Sequence, residues 1–583
     1  MKRRTFLGVT AGAALAQSKS MKIGDFFNSI TDEWMRMNPD TATYYRYFTG
    51  DEQDALDRKI APLTLAEAKK RIAFARKGLA DLKKFDRAGF TQVEKLAAET
   101  LEWQLQTIVD EEAFLDFSFP LDQMNGWNVA SVDSMTVGRP VTTVRDAENY
   151  VVALGQVALR MNEATARAKS LAKMGLLPPK FILQETIHQL ESFTDAAPAQ
   201  NPFVTALVTK LESVKEASPE IRRQAEAAVA KQIYPAWKRA AAELKSQLPK
   251  ATDDAGIWRL KGGDKAYEYY LRRYTTTDMT AEQVHEIGLK RVAEIEAQMD
   301  ALFRELGRNT GSAKERIEKL AADLEYPNPT SEASREKIIA DLDAIVRDAE
   351  KRCETLFDLR PKAPLKVQAV PTFAENDMAA NYNPPAQDGS RPGIIQYPRR
   401  PNQMTKFGMR TLAYHEGVPG HHFQLALQSE NKELPRFLQL SAFGFISASG
   451  EGWALYSESL AAESGWYEGD PEGRLGQLSD ELLRARRLVV DTGIHTKKWT
   501  RQQAIDYGVE PSEIDRYIVW PGQACSYMVG QLKIIELREK ARAAMGGKFS
   551  VREFHNIVLG AGSVPLQVLE GEVDGWIARE ASK

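Results

Sequence analysis

Cysteine and histidine are scarce in this chain of 583 residues, which contains two cysteines and seven histidines. Two cysteines exclude a cysteine-ligated zinc site, so any bound metal must rely on histidine and carboxylate ligands. Cys353 and Cys525 lie far apart in apolar, helix-like contexts. An oxidising compartment would permit a disulfide, but this placement favours two buried free thiols.

The chain also lacks a charge excess and a long apolar segment. Its 77 basic and 80 acidic residues give a formal net charge of −3. This balance indicates neither a nucleic-acid partner nor attraction to an anionic membrane. Past the N-terminus, no apolar segment reaches the roughly 20 residues that a membrane-spanning helix needs, so we expect no stable membrane insertion.

The first 16 residues have the composition of an export signal. Arg3 and Arg4 precede a short apolar segment over residues 6–16, which ends in a small-x-small triplet. This order is typical of a twin-arginine signal peptide cleaved near Ala16. We therefore expect a periplasmic or secreted protein that begins near Gln17. No cysteine follows the predicted cleavage position, so a lipid anchor is not expected there.

Most of the remaining sequence has the apolar spacing of amphipathic helices. Two segments begin with the sequence of a capping box, at Thr91 and at Thr280. The segment over 202–248 is almost uninterrupted, with kinks expected at its prolines. The principal predicted helices cover residues 26–37, 65–82, 91–114, 144–174, 202–248, 278–306, 332–357, 475–495 and 522–544.

The pattern changes after residue 360. Residues 365–370 and 393–397 alternate as strands do, and turn-forming residues separate them. A chain of this length is too long for one simple core. We therefore predict a mainly α, two-lobed protein, with a helical lobe over residues 17–360 and a catalytic lobe with a small sheet over 361–583.

Three of the seven histidines, His415, His421 and His422, lie within eight residues of one another. Glu416 follows the first of them, and Glu451 comes about one helix later. A hydrolytic zinc site needs three protein ligands and a further carboxylate that takes a proton from water. The pattern predicts one zinc ion held by His415, His421 and Glu451, with Glu416 as the general base.

The histidine spacing does not fit a regular helix. Two histidine ligands on one helix are usually four residues apart, whereas His421 and His422 lie six and seven residues after His415. A bulge at the Pro-Gly pair within residues 417–420 would bring His421 back beside His415. We favour His421 as the ligand, with His422 donating to the substrate or an oxyanion, but the reverse assignment stays open.

Glu458 lies seven residues after Glu451, which places both on one helix face. We expect Glu458 to hydrogen-bond a ligand histidine and hold it in place. On an ordinary amphipathic helix both glutamates would be surface residues, but the preceding histidine cluster favours the metal interpretation.

The chain resembles the bacterial DUF885 family in the motifs H-E-G-V-P-G-H-H-F-Q, G-E-G-W-A-L-Y-S-E, D-T-G-I-H and P-G-Q-A-C-S-Y-M-V-G. The resemblance covers most of the mature chain and is strongest from Pro371 onward. It implies a relationship to helical zinc peptidases of the carboxypeptidase Taq and thimet oligopeptidase groups, and hence a deep cleft with a small sheet beside the metal helix. The chain departs from those groups by two residues inserted within H-E-x-x-H.

The resemblance also implies roles for residues outside the histidine stretch. Related peptidases stabilise the tetrahedral oxyanion with a C-terminal histidine or tyrosine, which makes His495 and Tyr527 candidates. Arg516 is a candidate partner for a substrate carboxylate, and Tyr382 and Asn383 are candidates for lining the cleft. A structural role is an equally ordinary explanation for a histidine or arginine near a helix end.

We therefore expect a zinc metallopeptidase that acts on short peptides, as a dipeptidase, carboxypeptidase or oligopeptidase. The sequence leaves two alternatives: an exported helical binding protein without catalysis, and a zinc hydrolase of non-peptide amides or esters. A di-iron site built from the Glu-x-x-His pairs Glu185/His188 and Glu282/His285 is disfavoured, because no partner glutamates are recognisable.

Overall fold

The computed structural model describes residues 21–582, apart from 216–217, 325, 327, 329–330, 371–379, 387–390 and 400–405. The predicted export signal, residues 1–16, lies outside the described residues. The described chain is mainly helical, as predicted, with a small three-stranded sheet. No helix within it combines the length and apolar composition required to cross a membrane.

Fifteen α-helices precede the sheet in the described chain: α1 (Ile23–Met37), α2 (Pro39–Tyr45), α3 (Gly50–Asp57), α4 (Leu65–Leu82), α5 (Gln92–Asp110), α6 (Trp127–Thr136), α7 (Val144–Lys173), α8 (Lys180–Asp195), α9 (Pro202–Leu211), α10 (Pro219–Ala228), α11 (Tyr234–Gln247), α12 (Gly263–Thr275), α13 (Ala281–Glu305), α14 (Ala313–Asp323) and α15 (Glu332–Arg352). The described helices that follow the sheet are α16 (Lys406–Glu416), α17 (His421–Glu430), α18 (Arg436–Gln439), α19 (Ser447–Glu463), α20 (Pro471–Thr496), α21 (Arg501–Asp506), α22 (Pro511–Val519), α23 (Ser526–Met545), α24 (Val551–Ala561) and α25 (Leu566–Ala581).

Local sequence signals account for many helix boundaries. The predicted capping boxes form at the start of α5 and α13, where the Thr91 and Thr280 side chains accept hydrogen bonds from the main chain three residues on. The predicted long helix over residues 202–248 breaks between α9 and α10, and then continues from α10 through a π-helical turn at Val229–Ile233 into α11. Pro219 begins α10, because proline fits the first turn of a helix better than its interior.

The sheet contains the strands β1 (Leu365–Ala369), β2 (Asn381–Asn383) and β3 (Gly393–Tyr397), in the order β1-β3-β2. β3 lies in the middle, parallel to β1 and antiparallel to β2. The two predicted strands are confirmed as β1 and β3. β2 was not predicted, because its Asn-Tyr-Asn-Pro sequence is typical of a turn.

The largest buried apolar cluster joins helices from both ends of the chain. It contains side chains of α1, α4 and α5 together with α15 to α19 and α23 to α25. A second cluster lies among α6 to α11, and a third involves α12, α13, α20 and α23. The first cluster crosses residue 360, so the predicted lobe boundary there does not coincide with a division of the core.

Two glycines let α19 and α23 cross in backbone contact. A Cβ atom on Gly452 would lie 2.5 Å from the Cα atom of Gly530, and a Cβ atom on Gly530 would lie 2.0 Å from the carbonyl oxygen of Ala448. No larger residue fits at either position without moving a helix. The crossing brings the helix that carries Glu451 against the helix that carries Tyr527.

Candidate metal centre

The chain turns sharply between the two predicted histidine ligands. α16 ends at Glu416, and α17 begins at His421, so the helix is broken where a bulge was predicted. The Gly420 N–H donates to the Tyr414 carbonyl oxygen at 2.9 Å. A Cβ atom on Gly420 would lie 2.0 Å from the His415 carbonyl oxygen, so the turn requires glycine there. The turn brings the His415 and His421 rings to a centroid separation of 5.0 Å.

Hydrogen bonds tie this turn to the helix that carries the predicted carboxylate ligand. The buried Trp453 indole N–H donates to the Pro419 carbonyl oxygen at 2.9 Å. The Ser457 hydroxyl donates to the Ala454 carbonyl oxygen of its own helix at 2.6 Å and also lies 3.3 Å from the Tyr414 carbonyl oxygen. Both donors belong to α19, so the position of Glu451 relative to the two histidines is fixed by the main chain of the turn.

The three predicted metal ligands converge. His415 Nε2 and His421 Nε2 each lie 3.5 Å from Glu451 Oε2. The three ligand atoms are all within 4.8 Å of one another, and no other group of three or more such side chains occurs in the described chain. Tetrahedral zinc with bonds of about 2.0–2.2 Å places its ligand atoms about 3.3–3.6 Å apart. The spacing therefore fits one zinc ion after small side-chain adjustments.

A second glutamate fixes the tautomer of His415. His415 Nδ1 lies 2.7 Å from Glu458 Oε1, and the Thr411 hydroxyl donates to Glu458 Oε2 at 2.6 Å. A carboxylate can only accept, so Nδ1 carries the hydrogen and Nε2 presents a lone pair toward Glu451. A lone pair and a carboxylate oxygen repel each other unless a cation lies between them. The donor set therefore suits a metal ion, and Glu458 has its predicted position.

The pKa values of His415 and Glu451 also indicate that the site favours a bound positive charge. Burial alone would lower the pKa of His415, but its contacts with Glu451 and Glu458 outweigh burial and raise that pKa to about 10. Burial would raise the pKa of Glu451, but its contacts with His415 and His421 hold that pKa well below its ordinary value. A bound proton or a bound metal ion would satisfy this arrangement equally well, which is how metal sites couple to protonation.

Glu416 is the half-buried last residue of α16, beside the ligands. Burial raises the pKa of its carboxyl group, and the nearby His421 and His415 partly offset this effect. Its carboxylate forms no hydrogen bond with another described side chain. A carboxylate with a raised pKa and no fixed partner is suited to accepting a proton from water.

His422 points away from the three ligands and toward the sheet. The Tyr382 hydroxyl lies 2.9 Å from His422 Nδ1, and a Cβ atom on Gly393 would lie 2.9 Å from the same nitrogen. Burial lowers the pKa of His422 to about 4, which keeps the ring neutral. The structure thus brings His421, not His422, to Glu451. His422 and Tyr382 bind each other, and the Asn383 amide donates to Gln396 at 3.2 Å within the sheet.

The ring nitrogens of His495 are not available to stabilise an oxyanion in the candidate centre. Its Nδ1 accepts from the Ile257 N–H at 3.1 Å, and its Nε2 lies 3.0 Å from the Tyr517 carbonyl oxygen. Both ring nitrogens are therefore engaged by the main chain. The ring is fully buried, and burial lowers its pKa to about 3. The predicted catalytic role of His495 is wrong because no donor is left for a substrate.

Tyr527 lies beside His415, as its predicted role requires. Its ring is stacked with that of His415 at 6.4 Å and 19°. The Arg516 guanidinium donates to its hydroxyl oxygen at 3.2 Å and to Gln523 Oε1 at 2.8 Å. Arg516, the predicted partner of a substrate carboxylate, therefore has partners within the chain. Arg487 packs over the Tyr527 ring at 4.4 Å.

Sequence reasoning missed two residues of this centre, Thr411 and Arg487. Thr411 precedes His415 by one helical turn, so the spacing alone could have indicated it as a neighbour of the same carboxylate. Arg487 is one of several arginines on α20, and only the packing of α20 against α23 singles it out. No local signal could have identified it.

The residues of the di-iron alternative do not come together. The Lys497 ammonium donates to Glu282 at 2.6 Å, and His285 Nδ1 lies 2.8 Å from the Thr492 hydroxyl. His188 is exposed on α8. The two cysteines, which lie in different apolar clusters, are buried and free, as predicted.

Comparisons with known proteins identify solved relatives of the whole chain. A protein of Colwellia psychrerythraea, provisionally described as a lipoprotein, has 31% identity and a TM-score of 0.90 over 96% of this chain and 99% of its own. A Shewanella oneidensis protein, provisionally described as a lipoprotein of unknown function, has 18% identity and a TM-score of 0.70 over 95% and 99%. These likenesses bear out the fold.

A more remote structure comes from Bacillus anthracis and is provisionally described as an oligoendopeptidase F. It has 12% identity and a TM-score of 0.28 over 89% of this chain and 97% of its own, which is too low to support a functional statement. No curated protein matches the chain. The model of a family described as bacterial proteins of unknown function, DUF885, matches residues 39–573, and the chain therefore belongs to this family.

Proposed function

We propose that this protein is a zinc-dependent metallohydrolase, and specifically a peptidase of short peptides. The observation that carries the proposal is the convergence of His415 Nε2, His421 Nε2 and Glu451 Oε2 within 4.8 Å of one another. When bound there, a zinc ion would polarise a substrate carbonyl group and make water a stronger acid. The described ligand set leaves one tetrahedral position open, which is what a catalytic site needs.

Side chains of the protein would orient the ligands, transfer protons and stabilise the oxyanion. Glu458 and Thr411 hold His415 in the tautomer that presents Nε2 to the metal position. Glu416 takes a proton from the attacking water and returns it to the leaving amine. Tyr527 donates its hydroxyl hydrogen to the carbonyl oxygen as negative charge develops.

The preference for peptides rests on the resemblance of the H-E-G-V-P-G-H-H and G-E-G-W-A-L-Y-S-E motifs to helical zinc peptidases. We propose that a deep cleft between helical lobes restricts the substrate to short peptides, as a dipeptidase, carboxypeptidase or oligopeptidase would require. We further propose a periplasmic or secreted location. The arginine pair and apolar segment at the N-terminus support export, and the two solved relatives described as lipoproteins are consistent with it.

The test compares zinc content and hydrolysis in the wild type and in Glu416→Gln. We expect about one zinc per chain in both proteins. Hydrolysis of a library of dipeptides to decapeptides should fall by about 10²- to 10⁴-fold in the variant, because the general base is lost. Glu463→Gln is the matched control: it changes a glutamate on α19 that pairs with Arg538 at 2.7 Å.

The outcomes separate the alternatives. A wild type without zinc would contradict the proposal. Zinc with peptide binding but no cleavage would favour a non-catalytic binding protein. Cleavage of amide or ester substrates in the same assay, with the peptides left intact, would favour a hydrolase of non-peptide substrates.

A further inference from the structure

Tyr527 occupies a confined position between the candidate metal centre and two arginines, the buried Arg487 and the partly buried Arg516. Its ring is 7% exposed and lies parallel to the His415 ring. One helical turn along α23, Gly530 packs against the backbone of α19 at the crossing described above. The tyrosine is therefore held at a fixed distance from Glu451, which α19 carries.

The hydrogen bond from Arg516 determines which way the Tyr527 hydroxyl can donate. A guanidinium group has only donors, so the Tyr527 oxygen must accept from Arg516 Nη2 at 3.2 Å. The hydroxyl hydrogen of Tyr527 cannot point back to Arg516. It also finds no acceptor among the side chains and main-chain groups that the structure describes. Within the described part of the chain it is therefore a donor without an acceptor, next to the proposed metal ligands.

Arg487 supports the ring from its face. Its guanidinium carbon lies 4.4 Å from the Tyr527 centroid, a short cation–π distance. Nε of the same group donates to the Tyr517 hydroxyl at 3.0 Å, and Nη2 donates to Glu513 at 2.7 Å. Arg516 Nη1 lies 3.5 Å from the other oxygen of Glu513. Glu513 thus holds both arginines in place around one phenol.

A second arginine–tyrosine pair, Arg538 and Tyr456, is an example of such a contact with a purely structural role. Arg538 donates to the Tyr456 hydroxyl at 3.3 Å and lies 5.5 Å from its ring centroid. There the phenol also lies 2.9 Å from His555 Nε2, while His555 Nδ1 lies 2.9 Å from the Leu356 carbonyl oxygen. That carbonyl requires the hydrogen on Nδ1, so Nε2 accepts from Tyr456. The Tyr456 hydroxyl is fully used, whereas that of Tyr527 is not.

We infer that Arg487 and Arg516 are positioning residues that hold Tyr527 with its hydroxyl hydrogen directed to the carbonyl oxygen of the substrate. The inference rests on the proposed hydrolase function. Arg516 then acts through Tyr527 and not by binding the carboxylate of a peptide.

The test is a double-mutant cycle on the zinc-loaded full-length protein, with a peptide that the wild type hydrolyses. Tyr527→Phe should lower kcat by about 10²- to 10³-fold with little change in KM, as the loss of one oxyanion donor does. Arg516→Met should lower kcat by about tenfold, within the usual coupling between contacting residues. In the Tyr527→Phe background, Arg516→Met should have almost no further effect on kcat.

Conservative and matched variants complete the cycle. Arg516→Lys keeps a donor and a charge, so it should recover part of the kcat that Arg516→Met loses. Arg487→Met should show the same dependence on the Tyr527 hydroxyl as Arg516→Met does. Arg538→Met removes a comparable buried arginine from Tyr456 and should leave kcat unchanged, even where it lowers stability.

Equal losses of kcat for Arg516→Met in both backgrounds would overturn the inference and leave the proposed function standing. An Arg516→Met effect on KM alone, seen with free but not amidated peptide C-termini, would also overturn it, because Arg516 would then bind the substrate carboxylate. A zinc-loaded wild type that hydrolyses no substrate would overturn both the inference and the proposed function. The first result is recognised by kcat, the second by KM, and the third by bound zinc without hydrolysis.

Discussion

His415 and His495 are both buried histidines in the last turn of a helix, but their surroundings are opposite. His415 faces two carboxylates, one from Glu451 and one from Glu458. His495 faces a main-chain N–H group and a main-chain carbonyl. The pKa of the first ring is raised to about 10 by its acidic contacts, and the pKa of the second is lowered to about 3 by burial. Burial alone therefore does not indicate a functional histidine, whereas the charge of its partners does.

The largest expected difference between the two regions is in zinc binding. His415→Ala removes a proposed ligand and should abolish the zinc content of the purified protein. His495→Ala should keep about one zinc per chain. It should instead lower the free energy of unfolding by about 1–3 kcal/mol for each main-chain group left buried and unpaired. Elemental analysis and urea unfolding of both variants check this contrast, and loss of zinc in His495→Ala would contradict it.

A smaller effect on the same metal is expected from Glu458→Gln. The amide keeps the shape of the side chain but removes the charge that makes His415 a better ligand. Zinc affinity should fall by about 10- to 100-fold, as it does when other partners of ligand histidines are changed. Competition with a chromophoric chelator measures this. The control Glu463→Gln, on the same helix, should bind zinc as the wild type does. Equal losses of zinc affinity in the two variants would contradict a specific role of Glu458 in orienting His415.

The crossing of α19 and α23 can be tested apart from the metal. Gly530→Ala places a methyl group against a backbone carbonyl oxygen that cannot move aside. The free energy of unfolding should fall by about 3 kcal/mol, at the upper end of typical overpacking. Gly571 is an exposed residue of α25, with nothing within 4 Å of an added Cβ atom. Gly571→Ala should therefore be neutral or stabilise by up to about 1 kcal/mol. Similar results for both glycines would argue against the close crossing.

The smallest expected effect is a pH dependence of the free energy of unfolding that arises from His495. Its pKa is about 3 in the folded chain against an ordinary value of 6.5. Between these values the unfolded chain binds the extra proton, so stability falls as the pH falls through this window. At pH 5 the loss should be about 2 kcal/mol relative to pH 7.

The measurement is the difference in unfolding free energy between the wild type and His495→Gln at pH 7 and at pH 5. The stability advantage of the wild type should shrink by this amount, because glutamine does not titrate. A difference that is constant with pH would mean that the folded ring accepts a proton readily, contrary to its buried position.

Features set by neighbours in sequence were predictable. The helix over 65–82 and the strand over 393–397 have the predicted bounds, and the capping box at Thr280 forms. The six-residue spacing of His415 and His421 also predicted a break in the helix between them. In each case the decisive interactions are within a few residues of one another.

Features set by distant contacts were not predictable. The environment of His495 depends on Ile257 and Tyr517, and its sequence context gave no indication that both nitrogens would be used. Arg487 gains its position from the packing of α20 against α23. β2 exists only because β3 offers a partner at its edge. Sequence periodicity contains no information about which of these long-range partners will meet.

The central claim is that His415, His421 and Glu451 hold one zinc ion, and adjacent histidines offer the most direct test of it. Zinc content should be measured in His421→Ala and in His422→Ala, prepared in the same way as the wild type. We predict that His421→Ala loses its zinc and that His422→Ala retains about one ion per chain. Retention of zinc in His421→Ala together with its loss in His422→Ala would contradict the claim.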